Sequence, residues 1–334
     1  MKIFIITEGG EHIGFGHVAR CVSLYQAFAE KIVEPELIIN GDDSVLGLLK
    51  DEKYQTFNWL QQKDRLFEIV DGAEVIIIDS YLADIGFYES LAGAVKMPVY
   101  LDDNKRLDYP KGIIINGNIY AEDLGYPKEG NEHLLGTTYT PLRRFFWDVP
   151  EKVITKEVRN VMITVGGSDQ VNITPSIVRS LKEKYPAITK NVVIGKAFSN
   201  IDEIKKEVGK NTNLIYYPDA EKIREIMLVA DIAISSGGQT LYELARIGVP
   251  TLGVGLSEDQ ESNLRGFYET GFLGFIGRHN DIDFCEKMIE ELEKLLAKQP
   301  REKLCSLGQK LVDGQGAKRT AEHILALVCP EGVS

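Results

Sequence analysis

Short, continuous apolar runs alternate with helical patterns along the first part of the chain. The runs are rich in β-branched residues and lie at 2–7, 37–39, 75–79, 99–101 and 113–116. Between them, apolar residues recur at helical spacing within 17–31, 43–50, 63–70 and 82–95. Continuous runs joined by helices predict a parallel sheet that is covered on both faces.

The same alternation restarts near residue 158. Strand-like runs lie at 158–164, 192–194, 214–217, 232–235 and 251–254. Helical patterns lie at 173–184, 200–209, 220–229, 239–247 and 259–269, with three more between 282 and 328. The irregular segment 117–157 contains several glycines and prolines, which is typical of a crossing loop and a linker.

The two series predict an α/β protein with two doubly wound, Rossmann-like domains that face a cleft. We expect the domains to be 1–150 and 151–334, and the pattern allows the last helix to pack back on the first domain. A short repeat supports the division. Ile163-Thr164-Val165-Gly166-Gly167 repeats Ile6-Thr7-Glu8-Gly9-Gly10 with one change, at the start of the second series.

A glycine-containing loop, Ile13-Gly14-Phe15-Gly16-His17-Val18-Ala19-Arg20, follows the first predicted strand. Gly14 and Gly16 let the backbone approach a ligand, and the N–H groups at a helix N-terminus bind anions. His17 can move protons near pH 7. The loop therefore indicates a phosphorylated ligand with chemistry beside it. In the alternative interpretation, His17 is a cap or a packed side chain and Arg20 forms an exposed ion pair.

A second glycine motif spans Ser235–Glu243. A β-branched strand ends in Ser235-Ser236-Gly237-Gly238, and a helix begins at Gln239-Thr240. Small residues at a helix N-terminus predict a phosphate cradle. Glu243, one turn into the helix, is placed to accept hydrogen bonds from ribose hydroxyls. Alternatively, the glycines form only a tight turn and Glu243 is a solvated helix residue.

Carboxylates follow two of the predicted strands in the first half. Asp79 ends one strand, and Asp102-Asp103 follow the next. Ligands of open parallel sheets bind beyond the carboxyl ends of the strands, so we expect these residues to face the cleft. The Asp102-Asp103 pair is also compatible with a simple turn.

Composition narrows the class of partner. The chain of 334 residues has a net charge of −12, which argues against nucleic acid or an anionic membrane as the main partner. Its four cysteines show no metal-binding or disulfide spacing and indicate reduced thiols in a cytoplasmic protein. No apolar run is long enough to span a membrane, and the N-terminus enters a strand directly, so we expect neither a membrane span nor a signal peptide.

Taken together, the motifs resemble a known family. The order and spacing of the motifs over residues 1–275 are similar to those of the pseudaminic acid pathway UDP-sugar hydrolases and the related spore coat polysaccharide proteins, of the glycosyltransferase-B superfamily. The motifs are Ile13–His17 with Arg20-Cys21, Ile78–Tyr81, Leu101–Asp103, Asn116–Ala121, Leu142–Phe146, Gly166–Asp169, Ser236–Glu243 and Asp259–Ser262.

The resemblance implies a two-domain fold with UDP held mainly by the C-terminal half. It places Gly237, Gly238 and Thr240 at the diphosphate, Glu243 at the ribose, and Gln260-Glu261 on the nucleotide or sugar side. His17 matches the histidine that activates water for cleavage of the anomeric C–O bond, with no metal or cofactor. The other expected substrate-binding residues are Gly14, Gly16, Arg20, Tyr81, Asp102, Asp103, Asn118, Gly166, Gly167 and Ser236.

The chain departs from the family pattern at three places. The family commonly has Ile-Asp-His-Tyr where this chain has Ser80 in third position, and often Arg-x-Asp where this chain has Ile6-Thr7-Glu8. The family's Asn-Gln-Glu appears here as Asp259-Gln260-Glu261. These departures concern the sugar and the acceptor rather than the fold.

The sequence hypothesis is a cytoplasmic UDP-sugar hydrolase in nonulosonic (pseudaminic) acid or surface polysaccharide biosynthesis. It acts on a substrate such as UDP-2,4-diacetamido-2,4,6-trideoxyhexose. The alternatives are a glycosyltransferase that uses a UDP-sugar donor and a nucleotide-sugar binding protein without turnover. A nicotinamide dehydrogenase is disfavoured because Gly14-x-Gly16 lacks a third glycine. We expect the protein to be a monomer.

Overall fold

The computed structural model describes residues 1–10, 13–49 and 52–329. Contacts between Cα atoms divide the chain into two compact units. The first unit contains Met1–Arg144 together with the segment that begins at Gly314, and the second contains Phe145–Asp313. Within the described ranges, no helix is long and apolar enough to cross a membrane.

The described residues form thirteen strands and eleven α-helices. The strands are β1 (Ile3–Gly9), β2 (Glu36–Gly41), β3 (Tyr54–Thr56), β4 (Val75–Asp79), β5 (Met97–Leu101), β6 (Ile113–Asn116), β7 (Glu132–Leu135), β8 (Asn160–Thr164), β9 (Thr189–Ile194), β10 (Thr212–Tyr216), β11 (Ile232–Ser236), β12 (Thr251–Gly255) and β13 (Leu273–Arg278). The helices are α1 (Gly16–Ala29), α2 (Lys63–Val70), α3 (Ile85–Ala94), α4 (Thr174–Lys184), α5 (Ile201–Glu207), α6 (Ala220–Val229), α7 (Gln239–Ile247), α8 (Glu261–Glu269), α9 (Phe284–Lys294), α10 (Lys298–Leu311) and α11 (Gly316–Val328).

The sheet of the first unit is parallel, with strand order β3-β2-β1-β4-β5-β6-β7. The chain leaves β1 toward β2 and β3 and then returns to place β4 on the other side of β1. At such a switch point the loops after the two adjacent strands diverge and leave a crevice at their carboxyl ends. Thr7 of β1 pairs with Asp79 of β4, so the residues that follow these two positions line this crevice.

The sheet of the second unit repeats this topology in the order β10-β9-β8-β11-β12-β13, again all parallel. Its switch point lies between β8 and β11, where Thr164 pairs with Ser235. The two parallel α/β units confirm the predicted fold class.

Burial on both faces explains why the central strands are continuous apolar runs. Every residue of β1 is buried, including Thr7 and Glu8. Trp59 is fully buried in the core of the first unit and donates its indole N–H to the carbonyl of Thr7, 2.9 Å away. α11 packs against α1 in the same unit. A Cβ at Gly316 would lie 2.3 Å from the carbonyl oxygen of Thr140, so glycine permits this docking.

The strands that the sequence did not predict all lie at sheet edges. They are β3 and β7 in the first unit and β13 in the second. β3 is only three residues long and none of its residues is buried, so its pattern carries little apolar signal. The predicted helix 43–50 is a 3₁₀ helix over Asp43–Leu48, and Lys50 lies outside the described residues.

Candidate functional site

His17 and Asp79 meet at the switch point of the first unit. His17 lies in the first turn of α1, and Asp79 is the last residue of β4. Nδ1 of the imidazole lies 2.7 Å from Oδ1 of the fully buried carboxylate. Because an ionised carboxylate only accepts hydrogen bonds, we assign the proton to Nδ1. The lone pair of the neutral ring is then on Nε2.

Arg20 joins this pair to a second carboxylate. Its Nε and Nη2 donate to Oδ2 and Oδ1 of Asp79 at 2.5 and 2.6 Å, and its Nη1 donates to both oxygens of Asp103 at 2.7 and 2.9 Å. Residues three positions apart share a helix face, so the first turn of α1 presents Arg20 and His17 together. Nη2 also lies 3.1 Å from Nδ1 of His17, and both nitrogens donate toward Asp79.

The charged side chains of this cluster stabilise each other's ionised forms. Burial alone would raise the pKa of Asp79, but Arg20 and then His17 hold it well below its usual range. Arg20 likewise lowers the pKa of Asp103 against the effect of burial. Burial disfavours the charge on Arg20, yet Asp103 and Asp79 outweigh it and raise the pKa of the guanidinium. Two carboxylates around one guanidinium leave a net negative charge beside His17.

Tyr81 and Asn118 complete the surroundings of Asp103. The Tyr81 hydroxyl donates to Oδ2 of Asp103 at 2.7 Å, and Nδ2 of Asn118 donates to Oδ1 at 2.8 Å. Burial, with Asp103 beside it, raises the pKa of Tyr81, so its hydroxyl remains a donor. The Tyr81 ring meets the imidazole of His17 edge to face, with centroids 4.7 Å apart. The structure thus brings together five predicted residues: Asp103 with its donors Arg20, Tyr81 and Asn118, and His17 beside Arg20 and Tyr81.

Asp102 has different partners from Asp103. Its carboxylate accepts the hydroxyl of Tyr126 at 2.6 Å and that of Tyr109 at 3.4 Å, and the residue is 2 % exposed. Backbone N–H groups of Asn104 and Arg106 also point to its Oδ1, at 3.4 and 3.3 Å. These contacts stabilise the loop after β5, and they place Asp102 outside the hydrogen-bonded cluster around Asp103.

The two glycines before His17 differ in role. Gly14 has a φ of +93° and exchanges two backbone hydrogen bonds with Gly10, at 3.0 and 2.8 Å. This conformation favours glycine. Gly16 begins α1, and a Cβ there would meet nothing within 4 Å. Among the described residues, Gly16 therefore has open space beside the first turn of α1.

Sequence reasoning expected Asp79 to face the cleft but did not include it among the site residues, and it assigned no role to Glu8. The position of Asp79 at the end of a continuous apolar strand could have identified it as a site residue. Its hydrogen-bond partners, however, follow only from the order of the strands in the sheet. Glu8 accepts the hydroxyl of Ser80 at 2.5 Å and the N–H of Tyr81 at 2.7 Å. Two of the positions at which the chain departs from the family pattern are therefore in direct contact.

In the second unit, small residues from β8 and β11 meet at the switch point. Gly166 has a φ of +96°, and a Cβ there would lie 3.8 Å from Oγ of Ser236. Gly167 follows it, and a Cβ at Gly167 would meet nothing within 4 Å. A Cβ at Gly195 would lie 2.3 Å from the Gly167 carbonyl oxygen, so the loop after β9 can approach Gly167 this closely only because residue 195 is glycine. The predicted residues Gly166, Gly167 and Ser236 are thus adjacent.

The two glycines at the start of α7 have unequal surroundings. A Cβ at Gly237 would lie 2.7 Å from both the carbonyl oxygen of Gln260 and Cγ of Leu264. Gly238 is the N-cap of α7, and a Cβ there would meet nothing within 4 Å. Thr240 lies in the first turn of the helix. The N-terminal N–H groups of α7 can bind an anion next to Gly238.

Polar residues at the start of α8 support this turn. The Gly237 N–H donates to Oε1 of Gln260 at 3.3 Å, and Nδ2 of Asn263 donates to the Gly237 carbonyl at 3.0 Å. Glu243 on α7 is 2 % exposed, and Glu261 forms an ion pair with Arg278. The predicted Gln260 is therefore in direct contact with the glycine turn, whereas Glu261 is paired with β13.

Comparisons with known proteins show what the chain is similar to. The model of the glycosyltransferase family 28 C-terminal domain matches residues 160–321. The chain is 27 % identical over 266 residues to an uncharacterized protein of Methanocaldococcus jannaschii, covering 75 % of this chain and 55 % of that protein. It is 23 % identical over 336 residues to the spore coat polysaccharide biosynthesis protein SpsG of Bacillus subtilis, covering 96 % of each.

A third relative carries an activity in its name. It is the pseudaminic acid cytidylyltransferase and UDP-2,4-diacetamido-2,4,6-trideoxy-β-L-altropyranose hydrolase of Helicobacter pylori, 27 % identical over 283 residues, covering 82 % of this chain and 48 % of that protein. The chain thus spans about half the length of this relative and of the archaeal one. The predicted resemblance to the spore coat and pseudaminic acid pathway proteins is confirmed.

Solved structures show the fold. The Staphylococcus aureus MnaA–UDP co-structure aligns with a TM-score of 0.70 at 15 % identity, covering 98 % of this chain and 97 % of that one. The MurG structure from Acinetobacter baumannii aligns with a TM-score of 0.68 at 14 % identity, covering 97 % and 99 %. Together with the family match, they confirm two Rossmann-like units of the glycosyltransferase-B type.

Proposed function

We propose that the protein hydrolyses a UDP-activated acetamido deoxy sugar to UDP and the free sugar, with His17 as the general base. The observation that carries the proposal is the hydrogen bond between Nδ1 of His17 and Asp79, which leaves Nε2 for proton transfer. Imidazole is suited to this step because its pKa lies near the working pH. The type of substrate is a UDP-diacetamido-trideoxyhexose.

In the proposed reaction, Nε2 of His17 removes a proton from water as its oxygen bonds to the anomeric carbon. The C–O bond to the β-phosphate breaks, and its electron pair leaves with UDP. Asp79 stabilises the imidazolium that forms, in the manner of a carboxylate that orients a catalytic histidine.

The first unit would also bind the sugar. Arg20, Tyr81, Asp103 and Asn118 form one hydrogen-bonded group next to His17, and such groups suit hydroxyl and acetamido recognition. Gly14 and Gly16 would let the backbone come close to the ligand. Asp102, which accepts tyrosine hydroxyls, would act by holding the loop that carries Asp103.

The second unit would hold the nucleotide. The α7 N-terminus at Gly238 and Thr240, with Gly237, Ser236, Gly166 and Gly167 around it, is the proposed diphosphate cradle. Aligned N–H donors stabilise the charge that develops on a departing diphosphate. Glu243 is proposed for the ribose, and Gln260 and Glu261 for the nucleotide or sugar side.

The names of the relatives support a role in pseudaminic acid or surface polysaccharide biosynthesis. For this chain we propose that role, in the cytoplasm and as a monomer. Its four cysteines are free thiols, which suits a reducing compartment.

The experiment is UDP release from a panel of UDP-linked diacetamido-trideoxyhexoses in ¹⁸O-labelled water. We expect turnover, with unlabelled UDP, because the anomeric C–O bond breaks; label in UDP would mean cleavage at phosphorus. His17→Ala is expected to lose about 10²–10⁴-fold in kcat. No turnover on any sugar, or full activity of His17→Ala, would overturn the proposal.

One observation favours a second candidate, a glycosyltransferase that uses a UDP-sugar donor. The matched family model is that of a glycosyltransferase domain and covers residues 160–321. A transferase predicts slow hydrolysis that accelerates when an acceptor alcohol is added, with the sugar recovered on the acceptor. Tight UDP binding with an intact nucleotide sugar, and no effect of His17→Ala, would instead indicate a binding protein.

A further inference from the structure

Glu8 is fully buried near the C-terminal end of β1, a place where ionisable side chains are rare. The strand register explains why Ser80 lies next to Glu8. Thr7 pairs with Asp79 across β1 and β4, so Glu8 lies level with Ser80, the residue that follows β4. Burial of a carboxylate is costly unless its oxygens accept hydrogen bonds. The donors to Glu8 therefore identify what this side chain holds in place.

Glu8 and Ser80 together bind one backbone turn. Oε2 of Glu8 accepts the Ser80 hydroxyl at 2.5 Å, and Oε1 accepts the N–H groups of Tyr81 and Leu82 at 2.7 and 3.1 Å. The Ser80 oxygen in turn accepts the N–H groups of Leu82 and Ala83, each at 3.0 Å. The backbone N–H groups of residues 81–83 are thus bound by the buried side chains of Glu8 and Ser80.

The carbonyl groups of the same turn are bound from another direction. Nη2 of Arg106 donates to the carbonyl oxygens of Ser80 and Ala83, each at 3.0 Å. The hydroxyl of Tyr88 donates to the Ser80 carbonyl at 3.1 Å. A turn that is bonded at both its N–H and its C=O groups has little freedom to move.

The side chain that this turn carries is Tyr81. Its hydroxyl donates to Asp103, and its ring lies edge to face with His17 at 4.7 Å. Tyr81 is nonetheless 44 % exposed, so packing alone fixes it weakly. Its position relative to His17 and Asp103 therefore depends on the backbone from which it projects.

We propose that Glu8 and Ser80 are positioning residues that hold Tyr81 against His17 and Asp103. The proposal rests on the function proposed above for its effect on turnover. Neither residue needs to touch the substrate, because both act through the turn. Their loss slows the sugar step and leaves UDP affinity unchanged, since the proposed nucleotide residues belong to the second unit.

The first test is a double-mutant cycle on turnover. We expect Ser80→Ala and Tyr81→Ala each to lower kcat by about tenfold or more. The Ser80→Ala/Tyr81→Ala double variant is expected to match Tyr81→Ala alone, because Ser80 acts through Tyr81. Losses that multiply in the double variant would overturn the proposal, since independent sites add in free energy. UDP binding, measured by calorimetry, should be the same in all variants.

The second test does not depend on turnover. The chain has five histidines, so the NMR signals of the His17 ring can be assigned by comparison with His17→Gln. The Tyr81 ring shifts those signals through its ring current. Ser80→Ala is expected to move the His17 signals toward the positions that they have in Tyr81→Ala. In the double variant the His17 signals should be the same as in Tyr81→Ala alone. Unmoved signals in Ser80→Ala would overturn the proposal.

Glu8→Gln and a matched serine complete the set. Glu8→Gln keeps one oxygen for the N–H groups of Tyr81 and Leu82 but presents an amide donor to Ser80, so it should reproduce Ser80→Ala. We prefer it to Glu8→Ala, because the alanine variant would leave a cavity in the core and could fail to fold. Ser90→Ala is the control, because Ser90 on α3 donates only to the carbonyl of Gly86 in its own helix. It should change neither the His17 signals nor kcat.

The outcomes separate the two proposals. If wild-type protein turns over no UDP-sugar but Ser80→Ala moves the His17 signals as predicted, the proposed function fails and the positioning role stands. If turnover occurs and the signals and kcat of Ser80→Ala equal those of wild type, the positioning role fails and the function stands.

Discussion

Nδ1 of His17 lies 2.7 Å from Oδ1 of Asp79. The two residues meet at the carboxyl ends of two adjacent parallel strands, β1 and β4. His17 follows β1 through the loop into α1, and Asp79 ends β4. The contact therefore exists because the strand order reverses between β1 and β4. It fixes both the orientation of the imidazole and the nitrogen that carries the proton.

Asp79→Asn is expected to lower kcat by about 10²–10⁴-fold, while UDP affinity stays within about twofold. An amide at this position can donate to Nδ1, which would place the lone pair of the imidazole on the wrong nitrogen. The substitution also removes the charge that stabilises the imidazolium. Steady-state kinetics and UDP calorimetry measure the two effects separately.

The control for this substitution is Asp219→Asn. Asp219 caps α6 in the second unit by accepting the N–H of Lys222, and asparagine is an equally good cap. It should leave kcat unchanged. An Asp79→Asn enzyme with wild-type kcat would show that the carboxylate does not assist His17.

The depressed pKa of Asp79 predicts a dependence of stability on pH. Arg20 and His17 hold the carboxyl's pKa in the folded protein well below its unfolded value of about 3.9. Below pH 4 the unfolded chain therefore binds more protons at this group than the folded chain does. The stability from Asp79 is fully present above about pH 5 and is lost as pH falls from about 4 toward the folded pKa.

Urea unfolding of wild type and Asp79→Asn between pH 7 and pH 3 measures this. The difference in free energy of unfolding between the two proteins should be constant above pH 5 and shrink below pH 4. A difference that stays constant down to pH 3 would mean that Asp79 titrates normally in the folded protein.

Arg20→Lys is expected to weaken both fold and activity, although it keeps the charge. Arg20 bonds Asp79 and Asp103 through three nitrogens, and one ammonium group cannot reproduce that geometry. Donors lost at a buried site cost about 1–3 kcal/mol. We expect a loss of stability of that size in urea. We also expect a kcat at least about tenfold lower, because Asp79, which holds His17, and Asp103 lose their common partner.

Arg179→Lys is the matched control. Arg179 donates twice to Glu207 in the second unit but is 53 % exposed, so the same exchange should cost much less stability than at Arg20. Equal losses in the two variants would indicate a general effect of replacing arginine rather than a buried network at Arg20.

The sequence was sufficient for the interior strands and for the residues that end them. β4 and β6 were predicted with their observed bounds, 75–79 and 113–116, because strands buried on both faces are continuous apolar runs. The edge strands β3 and β7 were missed, since such strands carry fewer buried residues. The predicted repeat at 6–10 and 163–167 marks the same topological position in both sheets, at the ends of β1 and β8.

Partners were harder to predict than positions. Asp102 and Asp103 are neighbours in sequence, yet only Asp103 is bonded to Arg20, and the two accept hydroxyls from different tyrosines. Successive side chains leave a strand end in different directions, and no spacing rule says which one reaches the site. Glu8 and Ser80 are separated by 72 residues, and only the parallel register of β1 and β4 brings them together.

The glycine turn of the second unit offers a pair of adjacent substitutions with opposite expected effects. A Cβ at Gly238 meets nothing within 4 Å, and the backbone there, with φ −84° and ψ −167°, accepts alanine. Gly238→Ala should therefore cost less than about 1 kcal/mol, mainly as a poorer N-cap. The added methyl group would nonetheless occupy the proposed diphosphate site at the start of α7, so we expect UDP to bind at least about tenfold more weakly.

Gly237→Ala should instead act on the fold. Its Cβ would lie 2.7 Å from the Gln260 carbonyl and from Cγ of Leu264, which are not free to shift as the end of a flexible side chain is. Overpacking of this kind costs about 1–3 kcal/mol. Thermal unfolding and UDP calorimetry of both variants measure the contrast. A Gly238→Ala protein with wild-type UDP affinity would place the diphosphate elsewhere than at the start of α7, whatever the behaviour of Gly237→Ala.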